Sequence, residues 1–288
     1  MSAVERQLPI GVFDSGIGGL TVLRALMERL PGESFLYLGD TARLPYGTKT
    51  AATVERYALQ AVDELVRRGV KALVIACNTA SAAALPALAA AHPQLPVVGV
   101  IEPGAAAAVA ATKTGRIAVL ATEGTVRGGA YQREISRRLP DAQVTAVAAT
   151  LFVALAEEGW VRGEIPERVA QRYLAPLFTG DAAAPDTLVL GCTHFLPLLE
   201  AIRAVVGLRV QIVDSAFTSA GMLARLLEAR ALRTDVPGGH VRFLVSDGEE
   251  RFARVGPVFL GTGIAVASIE RVDLQGNASR RGFQSGNG

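Results

Sequence analysis

The chain has 288 residues, 50% of them hydrophobic and 19% charged. That composition excludes intrinsic disorder and suits one large packed domain or two ordinary ones. Its 29 basic residues nearly balance 27 acidic ones, so the overall charge gives no reason to expect a nucleic-acid or anionic-membrane surface.

The opening, MSAVERQLPIGVFDSG, shows no secretory signal and runs at once into an expected strand at 10–13. A helix is expected at 20–30, a strand at 35–38 and a helix at 50–68. Residues 72–101 contain no Asp, Glu, Lys or Arg, which is long enough for a membrane span. Asn78, Thr79, Ser81, Pro86, His92, Pro93 and Pro96 interrupt it. A strand at 72–75, an alanine-rich helix and a strand at 97–100 account for it better. Strands follow at 117–120, 144–148, 187–190, 210–213, 241–244 and 258–260, with helices at 125–139, 164–177 and 216–231. From 275 onward the Gly-, Ser- and Asn-rich sequence reads as a disordered tail. Alternating strands and helices indicate an α/β protein with largely parallel sheets, soluble and cytoplasmic, its two cysteines free thiols.

The order of short blocks is repeated. PIGVFDSGIGG at 9–19 is answered by RIAVLATEGTV at 116–126, LVIACNTA at 73–80 by LVLGCTHF at 188–195, and VVGVIEPG at 97–104 by VQIVDSAF at 210–217. Similar order and spacing suggest two related α/β halves, although any α/β chain repeats strand, loop and helix. Most expected strands end in small or polar residues: Asp14-Ser15, Cys77-Asn78, Cys192-Thr193-His194 and Asp214-Ser215. Ligands of open parallel sheets sit at such carboxyl ends. The four junctions are therefore expected to share a cleft, with the two sulfurs facing each other across one small molecule.

A buried cysteine is commonly a small core residue, but these two occupy equivalent polar junctions. Two cysteines and three histidines lack the paired spacing of a structural zinc site, so no metal is expected. A Cys-His hydrolase could use Cys192 and His194, but would leave Cys77 without a role. A thiol on each side of one carbon can instead remove a proton from one face and return one to the other. Asp14 could assist Cys77, and His194 could assist Cys192. Asp14 alone could equally be an Asx turn or helix cap. The glycines in DSGIGG at 14–19 lack dinucleotide spacing. They fit close backbone approach to a small carboxylate, with amides pointing inward.

Taken together, AspSerGlyIleGlyGlyLeu at 14–20, ProTyrGly at 45–47, CysAsnThrAlaSer at 77–81, GlyValIleGluPro at 99–103 and GlyCysThrHis at 191–194 resemble the glutamate racemase family, within the aspartate/glutamate racemases. The resemblance continues through SerAsp at 246–247 and PheLeuGly at 259–261. It implies an isomerase that interconverts L- and D-glutamate without pyridoxal phosphate or any other cofactor, supplying D-glutamate for peptidoglycan. It also implies two pseudo-symmetric α/β domains, 1–98 plus 212–274 and 99–211, with the site between them. Matched onto this chain, Cys77 acts on D-glutamate and Cys192 on L-glutamate. Asp14 and His194 are their assistants, and Glu157 holds the family's further acidic position. Ser15, Pro45, Tyr46, Gly47, Asn78, Thr79, Thr122, Thr125 and Thr193 match substrate contacts. A homodimer is implied, with a cell-wall precursor as a candidate activator and neither membrane nor nucleic acid as a partner. Two segments depart from the family's pattern: AATLFVALAE at 148–157 replaces a CysProLeu-type stretch, and FLPLL follows His194 with one extra residue. An aspartate-type racemase and a non-catalytic binding protein are the other readings.

Overall fold

The computed structural model describes residues 3–178, 183–236 and 238–274. Its strands are β1 (Ile10–Asp14), β2 (Phe35–Gly39), β3 (Ala72–Ile75), β4 (Val97–Gly99), β5 (Arg116–Ala121), β6 (Gln143–Ala148), β7 (Thr187–Gly191), β8 (Gln211–Asp214), β9 (Val241–Val245) and β10 (Ile269–Arg271). They form a six-stranded sheet in the order β10-β9-β2-β1-β3-β4 and a four-stranded sheet in the order β6-β5-β7-β8. Every strand pair is parallel. This is the expected α/β class.

Central strands β1, β2, β3 and β7 are buried along their whole length, as helices on both faces of a parallel sheet require. Alternate residues of β1 therefore serve different cores. Ile10 and Val12 pack with Leu20, Leu23 and Leu26, in a cluster that continues to Leu188, Leu190 and Phe195 of the second sheet. Phe13 faces the other way, onto Val54, Ala58, Val62 and Leu65 of the helix Ala51–Arg67. A third cluster covers the far side of the second sheet, where Ile117, Val119 and Val189 meet Ala105, Ala108, Tyr131 and Ile135.

Two sequence expectations change. The strand expected at 258–260 is a short helix, Pro257–Leu260. Proline at a helix start and left-handed Gly261 at its end outweigh three apolar residues of ambiguous period. The helix expected at 125–139 is two helices, Glu123–Gly128 and Ala130–Arg138, broken where Gly129 adopts φ +64°. The second sheet ends in β8, which pairs with β7. The expected tail from 275 lies outside the described residues. Among the described residues, no helix is long and apolar enough to cross a membrane.

Candidate active site

Each cysteine follows the end of a central strand. Cys77 comes two residues after β3 and caps the helix Asn78–Ala91, its sulfur accepting from the Ala80 amide at 3.4 Å. Cys192 follows β7 directly and opens the 3-10 turn Thr193–Leu198. Both are free and buried, and both border one cavity of about 250 Å³. Ser15, Pro45, Tyr46, Gly47, Asn78, Thr79, Thr122, Glu157, Thr193 and His194 line the same cavity, as do Thr150, Val153 and Ala154. The walls thus come from the carboxyl ends of strands in both sheets. Three expected participants lie elsewhere. Asp14 is fully buried behind Ser15 and Gly16, and Thr125 sits behind Thr79 and Thr122. The Asp214-Ser215 junction borders a separate small cavity behind Cys192.

His194 connects the second thiol to a fixed pair of charges. Its Nδ1 is 3.9 Å from Cys192 Sγ, and its Nε2 is 3.0 Å from Glu157 Oε1. The second Glu157 oxygen accepts from Arg251 at 2.9 Å, and the ring packs edge-on against Phe259. Burial works against the charge on His194, but its hydrogen bonds to Cys192 and Glu157 outweigh burial and push its pKa up to about 10. Burial would likewise raise Glu157, yet His194 and Arg251 hold it below the usual carboxylate range. His194 therefore remains an imidazolium near neutral pH, where it can exchange a proton with the neighbouring sulfur.

Cys77 is governed differently. Burial and then the Asp14 charge push its thiol up to about 12, against the opposing hydrogen bonds of Ser15 and the Ala80 amide. Asp14 is itself raised by burial, partly offset by His194 and by the amides of Gly19, Gly16 and Ser15. The Gly16 amide donates to Asp14 Oδ2 at 2.9 Å. In the glycine loop, this amide thus serves the chain's own carboxylate in a two-residue Asx turn. The glycines allow close approach of another kind. A Cβ on Gly18 would lie 2.3 Å from His194 Nδ1, so the loop between the first sheet and its helix presses against the histidine of the second.

Hydroxyls bridge the walls: Thr79 is 3.0 Å from Thr122 and 3.2 Å from Thr125. A Cβ on Gly47 would meet that of Thr122 at 2.7 Å. Tyr46 donates to Asp40, which also receives Arg43 Nε at 2.7 Å and Ser246 Oγ at 2.9 Å. This anchors the ProTyrGly turn, making it a pocket wall instead of a plain turn.

A family model described as Asp/Glu/Hydantoin racemase matches residues 10–232. The chain belongs to this racemase family. A glutamate racemase of Geobacter metallireducens is 49% identical over 88% of this chain and 92% of its own length. Among solved structures, Francisella tularensis glutamate racemase in complex with D-glutamate superposes with a TM-score of 0.87 at 37% identity, covering 94% of this chain and 99% of that one. The Escherichia coli glutamate racemase, solved with L-glutamate and the activator UDP-MurNAc-Ala, has a TM-score of 0.75 at 30% identity over 92% and 98% of the two chains.

For a racemase the arrangement has a direct use. Each thiol has a titratable neighbour, Asp14 acting on Cys77 through its charge and His194 lying beside Cys192. The Asn and Thr side chains between them can donate to an acceptor ligand. Sequence reasoning missed Arg251, which secures Glu157, and Tyr131, whose hydroxyl donates to Asn78 Oδ1 at 2.8 Å. Neither stands in a distinctive motif. The one local signal for Tyr131 is the Gly128-Gly129 pair that breaks the helix just before it.

Proposed function

We propose that this chain interconverts L- and D-glutamate by proton transfer between Cys77 and Cys192, without a cofactor. The supporting observation is that both thiols border one cavity of amino-acid size, each influenced by its own acid–base neighbour. The thiolate of one cysteine takes the α-proton, leaving the electron pair on carbon, and the thiol of the other returns a proton to the opposite face. The substrate is inverted and the two cysteines exchange protonation states. In this reading Cys77 acts on D-glutamate with Asp14, and Cys192 acts on L-glutamate with His194. Glu157 holds His194 in its charged form. Ser15, Asn78, Thr79, Thr122 and Thr193 bind the substrate, and Thr125 supports the two threonines in front of it. The product serves peptidoglycan synthesis in the cytoplasm. The enzyme is a homodimer, and a cell-wall precursor is its candidate activator by analogy with the Escherichia coli complex.

Incubation with L-glutamate or L-aspartate in deuterated water, followed by chiral separation and mass measurement, tests this. We expect D-glutamate carrying deuterium at the α-carbon, with no comparable turnover of aspartate. Recovery of L-glutamate with neither inversion nor label would overturn the proposal.

A further inference from the structure

Tyr131 makes none of the proposed proton transfers, yet it is fully buried and touches the immediate neighbour of each cysteine. Its ring lies against Gly191, where a Cβ would come within 3.0 Å of the ring edge, and the next residue is Cys192. Its hydroxyl donates to Asn78 Oδ1 at 2.8 Å, and the preceding residue is Cys77. The other end of that amide is distinctive. Asn78 Nδ2 is buried and has no hydrogen-bond partner among the described residues, although Asn78 lines the cavity.

An asparagine amide can turn half-way round and exchange donor for acceptor with almost no change in shape. Only its partners determine which end faces a ligand. Here the partner is a tyrosine hydroxyl with a single hydrogen. Burial holds the Tyr131 hydroxyl well above its ordinary pKa, against an opposing hydrogen bond with Ser215, so the oxygen keeps its one hydrogen. That hydrogen is directed to Asn78 Oδ1, 2.8 Å away. Its carbonyl is thereby held against Tyr131, leaving the NH2 as a donor without a protein partner.

We propose that Tyr131 is a positioning residue, fixing the Asn78 amide so that the site offers a hydrogen-bond donor at this point and selects an acceptor such as a substrate carboxylate. The inference rests on the racemase reading of the cavity. The glycines around the ring agree with it. A Cβ on Gly104 would come within 3.2 Å of the tyrosine oxygen, so Gly104 and Gly191 together leave the ring little room to move.

The test is a double-mutant cycle of Tyr131→Phe and Asn78→Ala, with KM and kcat measured in both directions. Tyr131→Phe keeps the ring and removes the hydroxyl, so KM should rise about tenfold while kcat changes much less. In the Asn78→Ala background the same substitution should leave KM unchanged, because the group it orients is gone. An equal KM rise in both backgrounds, or no rise in the first, would overturn the proposal. Ser215→Ala gives a second route if Tyr131→Phe does not fold. Its smaller KM rise should also vanish with Asn78→Ala, and persistence there would count against the proposal. Calorimetric binding of D-glutamate reads the same cycle without turnover. Binding that follows the cycle in a protein that does not racemise overturns only the function proposed above, whereas racemisation with an additive cycle overturns only this inference.

Discussion

Cys77 reaches the site as a thiol, because burial and the Asp14 charge both oppose its ionisation. Replacing Asp14 by Asn removes one of these two causes. The pH at which Cys77 becomes alkylated, followed by peptide mass mapping with iodoacetamide, should therefore be lower than in the unsubstituted protein. An unchanged or higher midpoint would show that the Asp14 charge does not act on this sulfur. Cys77→Ala and Cys192→Ala should each lower racemisation by at least about 100-fold with the fold retained, as measured by chiral assay and circular dichroism. Near-normal activity in either would remove that thiol from the mechanism. The cysteines and His194 stood out in the sequence because rare or ionisable residues recur at equivalent strand ends, whereas Asp14 stood out less, since its Asx turn with Gly16 gives it a structural reason to be there. Tyr131 and Arg251 did not stand out. Their roles depend on contacts with Asn78 and Glu157, 53 and 94 residues away, which no local pattern encodes.

Among the elements, strands were read more reliably than helix boundaries, and the reason is physical. A buried parallel strand such as β3 is a continuous apolar run that few other structures tolerate. The run at 258–260 has the same composition but follows Pro257 and precedes Gly261, and those flanking residues decide for helix. The break at Gly129 is the most consequential boundary, since it separates two short helices and places Tyr131 in the first turn of the second. Gly129→Ala forces a Cβ into left-handed backbone, at a cost of about 1–2 kcal/mol. Its Cβ would meet only the far end of the Arg133 side chain, at 3.1 Å, so backbone strain is the main penalty. Calorimetry should show Tm lower by about 2–4 °C. An unchanged Tm would mean that the helix break does not need the left-handed residue.

At the scale of the molecule, the first sheet draws its strands from both ends of the chain and the second from the middle. We propose that the chain divides into two halves accordingly, with breaks after Gly99 and Asp214. The repeated blocks suggest such a division, but not which contacts tie the halves together. One of those contacts is exposed enough to alter without disturbing a core. Arg251, in the helix Glu249–Val255 beside the first sheet, pairs at 2.9 Å with Glu157, which ends the helix Leu151–Glu157 beside the second. The arginine side chain is 40% exposed, so the pair contributes only about 1 kcal/mol or less to stability, and Arg251→Gln should leave Tm nearly unchanged. Its effect on the site should be larger. Glu157 also holds His194, and without the arginine this carboxylate loses one of the two partners that fix it. Amide hydrogen exchange in residues 151–157 should accelerate, and KM should rise. Because the tie is ionic, added salt should reproduce part of the KM increase in the unsubstituted enzyme and much less of it in Arg251→Gln. Equal salt sensitivity of the two proteins, with exchange unaltered, would mean that this ion pair does not hold the halves around the cavity.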